Sequence, residues 1–420
     1  MFGETQMPSS PQCGGKAPAL SVREARQTLL DAVAPVAGWE QVPLRSALGR
    51  VLRRDVIAPF DVPAYDNSAM DGFAARAADL TAEENRLDLV GTAYAGAAFS
   101  GLVGPGQAVR VMTGAVLPRG TDTVVMQEAA RVEGHGVILP AVPKPGQNVR
   151  RAGEDLAAGD PALLAGRQVG PAELGLLASL GLVEVEVHRR PRVAFFSTGD
   201  ELASIGRPLG PGEVYDSNRY TLYGALTCMG LEVLDLGVVR DDPAALELAF
   251  REAAAQADAI VTTGGVSVGE ADYVREIMAR LGEVRFWRID IKPGRPMAFG
   301  RLGGAWLFGL PGNPVAVLVG FYQIVQDALH RLHGLDPLPI RPSFQVPCDS
   351  PIRKLPGRSE FPRGLLYQVE GQWRVRLSGN QGSGVLRSVT DANCFICLPE
   401  DSGSVGMGDL VEVQPFAGVF

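Results

Sequence analysis

The residues best able to do chemistry gather in Gly/Pro-punctuated loops. AIVTTGGVSVGEADY, residues 259–273, runs from an apolar strand into Gly264, Gly265 and Ser267 and then into a helix. Glycines let backbone amides approach a ligand closely, and a helix N-terminus behind them favours an anion. The pattern is neither GxGxxG nor the P-loop with its Lys-Ser/Thr, so dinucleotide dehydrogenase and P-loop NTPase readings lose support, while a plain tight βα turn stays open. Acidic residues follow the other strand ends: Asp200 and Glu201 in STGDEL, Asp241 and Asp242 in VVRDDP, Glu270 and Asp272 in GEAD. Carboxylates on three loops of one sheet rim suit a hard cation such as Mg²⁺, shared with phosphate oxygens. Asp242 before Pro243 and Asp216 before Ser217 read as helix N-caps, Asp272 fits either role, and Glu201 and Asp241 have no capping duty.

A basic counterpart lies in IKPGRP, where Lys292 and Arg295 flank a Pro-Gly turn; they suit a small oxyanion, or else a solvated turn. LPGNP, residues 310–314, places Asn313 as a cap and Pro314 at the first helical position, a further anion contact. YDNSAMDGFA, residues 65–74, gathers Asp66, Asn67, Ser68 and Asp71, which turn chemistry or a binding site could equally use. MTG and RRAGED add Thr113 and Asp155. Cys394 and Cys397 sit in a β-like run where i and i+3 face opposite ways, and no Cys or His pair stands nearby, so zinc is not expected. His330 and His333 close a helix beside Arg331, as a cationic last turn does. Four His in all leave few bases, and no Ser/His/Asp or Cys/His arrangement supports acyl-transfer hydrolysis.

The elements that must position these loops follow from periodicity. Residues 1–18 are Gly/Pro/Ser-rich and read as a flexible tail. Ser21 and Glu24 form a capping box before an amphipathic helix with Leu29, Leu30 and Val33 on one face, for which residues 171–185 offer a discontinuous partner. From Pro59 to Gly170 short β-type runs alternate with turns, as in a small antiparallel domain or barrel. Residues 191–335 alternate strand and helix, the last helix running Asn313 to His330, which predicts a doubly wound, mostly parallel α/β sheet with ligands at the strands' carboxyl ends. From Pro337 to Phe420 the chain is β again. At 420 residues, 46% hydrophobic, the chain can fold several cores. A net charge of −8 argues against a nucleic-acid binder with a broad basic surface. No apolar run suits a membrane span, and the N-terminal residues do not make a signal peptide. Five Cys form no disulfide framework, and a cytoplasmic, multi-domain protein is expected.

In order along the chain, DVPAYDNSAMDGFA, MTGAVLPRGTDTVVMQE, GQNVRRAGED, FSTGDEL, VVRDDP, GGVSVGEADY, IKPGRP, GLPGNP, PGRSEFPRG and NQGSG resemble the MoeA family of molybdopterin molybdenumtransferases. The family includes the E domain of plant and animal molybdenum-cofactor proteins, and the resemblance runs from about residue 19 to the end. It implies a homodimer whose subunits have a discontinuous linking domain (19–58 plus 149–190), a small β domain (59–148), an α/β molybdopterin-binding domain (191–335) and a C-terminal β domain (336–420). It also implies that adenylylated molybdopterin and molybdate become molybdenum cofactor with release of AMP and a need for Mg²⁺. Other cofactor-biosynthesis proteins are possible partners. By motif match Glu201, Asp241 and Asp272 would bind Mg²⁺ or the phosphate region, and Gly264, Gly265 and Ser267 would cradle the adenylylated pterin. Lys292, Arg295, Arg363 and Ser383 would hold molybdate, with Pro311 and Pro314 beside it. Ser68, Asp71, Thr113 and Asp155 would enter the cleft from the other subunit. Arg295 stands where the family motif IKPGKP has Lys, and Arg288 where relatives often have Lys. Rival readings are a non-catalytic assembly scaffold on the same fold and a molybdopterin adenylyltransferase, which the α/β part alone resembles.

Overall fold

The computed structural model describes residues 19–142, 144–265 and 273–417, so Ser267, Glu270 and Asp272 lie outside the described residues. The α/β unit is built on a six-stranded sheet in the order Glu232–Val239, Arg192–Thr198, Ala259–Thr263, Ala305–Leu310, Pro296–Leu302, Gly282–Arg288. The first four strands run parallel, Pro296–Leu302 runs against them, and Gly282–Arg288, antiparallel to that strand, points the same way as the four. Arg192–Thr198 is buried at every position after Arg192 because both of its faces are covered. Alternate residues go to opposite cores: Val193 and Phe195 join Val261 and Phe308 on one face, while Ala194 and Phe196 join Ile260 and Leu307 on the other. The mostly parallel expectation is met by four strands. The antiparallel hairpin 296–310, which turns at Gly303-Gly304, was not foreseen.

Helices close both faces. Pro243–Gln256 and Tyr273–Leu281 cover one side, and Ser217–Cys228 with a long helical rod covers the other. The rod comprises Pro314–Gly320, a π turn at Phe321–Val325 and Gln326–Leu332. It is buried on all sides, which explains its unbroken apolar run. Gln323, the first polar residue in that run, is itself buried and donates to Gln414 of the C-terminal sheet at 2.7 Å. The helix Val22–Ala32 has the expected capping box between Ser21 and Glu24. Its buried face, Ala25 and Leu29, packs into the α/β core beside the rod. It is not paired with Pro171–Ser179, whose Leu177 packs instead with Val42, Leu52, Val185 and Val187.

Trp39–Pro43 pairs antiparallel with Glu184–His188, and Val56–Ile57 with Pro161–Leu163, so chain segments on either side of the β region share one small core. Between them lies an open six-stranded sheet, antiparallel except where Asn85–Ala93 runs parallel to Gln107–Val111. The C-terminal segment is a five-stranded antiparallel sheet. No helix among the described residues is long and apolar enough to cross a membrane.

Candidate active site

A cleft of about 1200 Å³ opens between the carboxyl side of the α/β sheet and the C-terminal sheet. The two-residue strand Ile291–Lys292 pairs in parallel with Ser359–Glu360 and so brings the IKPGRP turn against the PGRSEFPRG segment. Gly294 has φ 101°, and a Cβ there would stand 3.1 Å from the Ala316 Cβ and 3.4 Å from Pro311. Only glycine seats this turn on the start of the rod without strain. Val315 N–H donates to the Ser383 carbonyl at 3.0 Å, fixing the NQGSG loop to the same helix start. Lys292, Arg295, Pro311, Pro314, Arg363 and Ser383, named separately in the sequence, all line this cleft, with Glu201 and Gly265.

The charges are not equivalent. Lys292 Nζ donates to Glu360 at 2.9 Å, and Arg295 Nη2 donates to Asp290 at 2.7 Å. Arg363 is 2% exposed, and among the described residues its side chain donates only to neutral oxygens, the Ser388 hydroxyl at 3.1 Å and the Gly382 carbonyl at 3.2 Å. Burial pushes its guanidinium down to about 10. Arg353 and Arg358, which sequence reasoning missed, add two more cations. The lining then carries five cationic side chains (Lys292, Arg295, Arg353, Arg358, Arg363) against three carboxylates (Glu201, Asp216, Glu360) in a chain of net charge −8.

At the acidic rim Asp241 N–H donates to Asp200 at 3.3 Å. The Asp241 carboxyl is raised above the ordinary range, first by desolvation and then by the charges of Asp200 and Glu201. Glu201 folds back over Gly199, where a Cβ would lie 2.6 Å from its carboxylate. Among the described residues no three His, Cys, Asp or Glu converge into a ready-made metal cage. A crowded carboxylate group that disfavours its own ionisation still suits a cation held jointly with a ligand's phosphates. The glycine loop begins where expected: Gly264 has φ 88° and lies so near strand Arg192–Thr198 that a Cβ would meet the Thr198 carbonyl at 2.5 Å.

Both expected aspartate caps are present. Asp242 caps its helix through Ala245 N–H at 2.9 Å, and Asp216 caps Ser217–Cys228 through Arg219 N–H at 3.1 Å. Asn313 occupies its cap position but makes no capping hydrogen bond, leaving the side chain to the cleft. His330 and His333 do not form a cationic turn: burial drives both down to about 4, so both are neutral at neutral pH. Within one subunit Ser68, Asp71, Thr113 and Asp155 do not line the subunit's own cleft. The Asp71 carboxylate accepts both the N–H and the hydroxyl of Thr113 at 2.7 Å, which lowers its pKa. Ser68 is buried and its hydroxyl donates to the Met70 carbonyl at 2.5 Å. Sequence reasoning also left Asp216 as a cap alone and passed over Asn218; both line the cleft.

Known proteins share this whole arrangement. Residues 20–181 match the model for the MoeA N-terminal region (domain I and II), 194–331 that for a probable molybdopterin binding domain, and 345–416 that for the MoeA C-terminal region (domain IV). A molybdopterin molybdenumtransferase of Haemophilus influenzae is 43% identical over 399 residues, covering 94% of this chain and 98% of the relative. The chain belongs to the MoeA family. A Nostoc molybdopterin molybdenumtransferase is 37% identical over 414 residues, covering 94% of each chain. The crystal structure of a molybdopterin biosynthesis MoeA protein from Pyrococcus horikoshii superposes with a TM-score of 0.82 at 30% identity, covering 95% of this chain and all of that one. Membership of the MoeA family makes the chain a transferase of molybdenum-cofactor biosynthesis.

Proposed function

We propose that this cleft inserts molybdenum into adenylylated molybdopterin, taking molybdate as the metal source and releasing AMP. The observation that carries the reading is Arg363, a buried guanidinium whose hydrogen-bond partners among the described residues are all neutral, in a lining with more cations than acids. A charge so placed is costly unless a negatively charged ligand joins it. Molybdate is a dianion, and Lys292, Arg295 and Ser383 lie along the same lining. The glycine loop at Gly264 and Gly265 and the cleft beside it suit the adenylylated pterin.

Two anionic reactants repel, and this chain's residues offset that cost. Arg363, Arg295 and Lys292 neutralise molybdate, and confinement of both reactants in one cleft supplies proximity. Glu201 and Asp241, with Asp272 from the glycine loop, would hold Mg²⁺ together with the substrate's phosphates. Bound there, Mg²⁺ screens phosphate charge and polarises phosphorus. Water attacks the adenylyl phosphorus, the phosphoanhydride bond to the pterin's phosphate breaks, and AMP leaves carrying the water's oxygen; the two thiols of the pterin's side chain then displace one oxygen of molybdate as water and hold the metal. The protein acts as a cytoplasmic homodimer in which Ser68, Asp71, Thr113 and Asp155 approach the partner's cleft.

The test mixes purified protein with adenylylated molybdopterin, Mg²⁺ and molybdate, and follows AMP together with reconstitution of a cofactor-free molybdoenzyme. Molybdate-dependent appearance of both is expected. AMP-free turnover, or no active cofactor with all components present, refutes the reading.

A further inference from the structure

The cleft wall formed by the start of helix Ser217–Cys228 carries two buried acceptors that have no partner among the described residues. Asp216 is 3% exposed; its Oδ1 accepts from Arg219 N–H, and its Oδ2 has no hydrogen-bond partner. Asn218 is 6% exposed; its amide nitrogen donates to the Gly312 carbonyl at 2.7 Å, and its Oδ1 is likewise unpartnered. Both residues line the same cleft as Arg363 and Lys292. A buried polar atom without a partner is costly, so two of them, two residues apart at one helix start, mark a place where a ligand's donors complete the wall.

The donors must come from the part of the substrate that carries no negative charge. Molybdate and the phosphates are acceptors at neutral pH. The pterin ring offers a 2-amino group beside an N3–H, two donors on one edge. The metal ends on the pterin's side chain, so the pterin must lie in the cleft with the cations. We infer that Asp216 and Asn218 read the aminopyrimidinone edge of the pterin and so set the specificity of this cleft for a 2-amino pterin. The inference rests on the reading of the cleft as the molybdenum-insertion site. A carboxylate oxygen and an amide oxygen reward two adjacent donors and repel a carbonyl in their place. A cleft built to hydrogen-bond a substrate N–H rejects an analogue lacking it more strongly than an apolar pocket could.

The experiment titrates full-length protein with pterin (2-amino-4-hydroxypteridine), with lumazine, in which a carbonyl replaces the 2-amino group, and with adenosine, by fluorescence quenching and calorimetry. Asp216→Ser keeps a capping oxygen for the helix and deletes the second acceptor. Asp216→Asn keeps the cap and turns a donor toward the ligand, which maintains the test if the serine variant folds poorly. Wild type should prefer pterin over lumazine by at least about tenfold. Either variant should weaken pterin about ten- to hundredfold, with lumazine and molybdate affinities unchanged. Equal binding of pterin and lumazine by wild type, unchanged pterin binding in both variants (a buried water only), or loss of adenosine rather than pterin affinity overturns the inference. AMP release by wild type distinguishes the two readings. Normal molybdate-dependent AMP release without the pterin preference sinks this inference alone, whereas the preference without AMP release sinks the proposed reaction.

Discussion

Replacing Arg363 by Met should move stability and molybdate binding in opposite directions. The wild-type guanidinium is held at about 10 by burial, against an ordinary 12.5. At about 1.36 kcal/mol per unit, that difference disfavours the charged native state by about 3 kcal/mol. The sign follows from linkage: the penalty is present in full below about pH 10 and relieved only as pH rises above it, so the protein bears it at neutral pH. Methionine removes that penalty and fills most of the volume. It forfeits hydrogen bonds to Ser388 and Gly382, about 1 kcal/mol each. The Ser388 hydroxyl keeps its bond to the Val385 carbonyl at 2.6 Å, so it is not orphaned. The balance leaves the variant as stable as wild type or about 1 kcal/mol more stable. Molybdate loses a charged donor, about 1.5–3 kcal/mol, or roughly ten- to hundredfold in affinity. Melting curves with and without molybdate read both effects at once, because a ligand near a hundred times its Kd adds about 2.7 kcal/mol to the native state. Wild type should shift upward with molybdate, and the variant should start no lower and shift little. A variant that melts well below wild type yet responds to molybdate as wild type does would show Arg363 to be a packing residue.

Two further predictions concern acids and histidines. Asp241→Asn should nearly abolish AMP release with the melting temperature unchanged, whereas Asp242→Ala should cost about 1 kcal/mol of stability through its lost cap and spare activity; equal activity loss at Asp242 without any stability change would refute that division. His330 and His333, held at about 4, stay unprotonated in the native state while the unfolded chain takes up protons from about pH 6.5 downward. The stability they lend is therefore present above that value and lost as pH falls. Between about pH 7.5 and pH 5 each should cost about 2 kcal/mol, and denaturant unfolding of the His330→Gln, His333→Gln double variant should show a much flatter fall. A fall as steep as wild type's would place the acid sensitivity elsewhere.

Motif spacing made the loops legible, but it could not show how their charges are matched. The βα alternation from 191 to 335 could be read because strands covered on both faces must be apolar throughout, and such runs stand out. The hairpin 296–310 escaped, although Gly303-Gly304 is a turn signal, because PMAFG and AWLFG read as one apolar stretch around it. His330 and His333 looked like a helix-end cation pair, since the burial that lowers both, and the charges of Arg341, Arg50 and His188 that add to it, come from distant segments. Asp216 is the most instructive case. Its local signal, an Asp at a helix start, accounts for one carboxylate oxygen and leaves the other unassigned. Arg363 is similar: nothing in PGRSEFPRG says that this arginine, unlike Lys292 and Arg295, would be buried with only neutral oxygens for partners. Such incompleteness is a property of tertiary placement, since an acid for Arg363 or a donor for Asp216 would have to arrive from another element, and among the described residues none does. A cleft wall that, among the described residues, carries a buried cation without an acid and two buried acceptors without donors suits a ligand that is anionic at one end and carries N–H donors at the other.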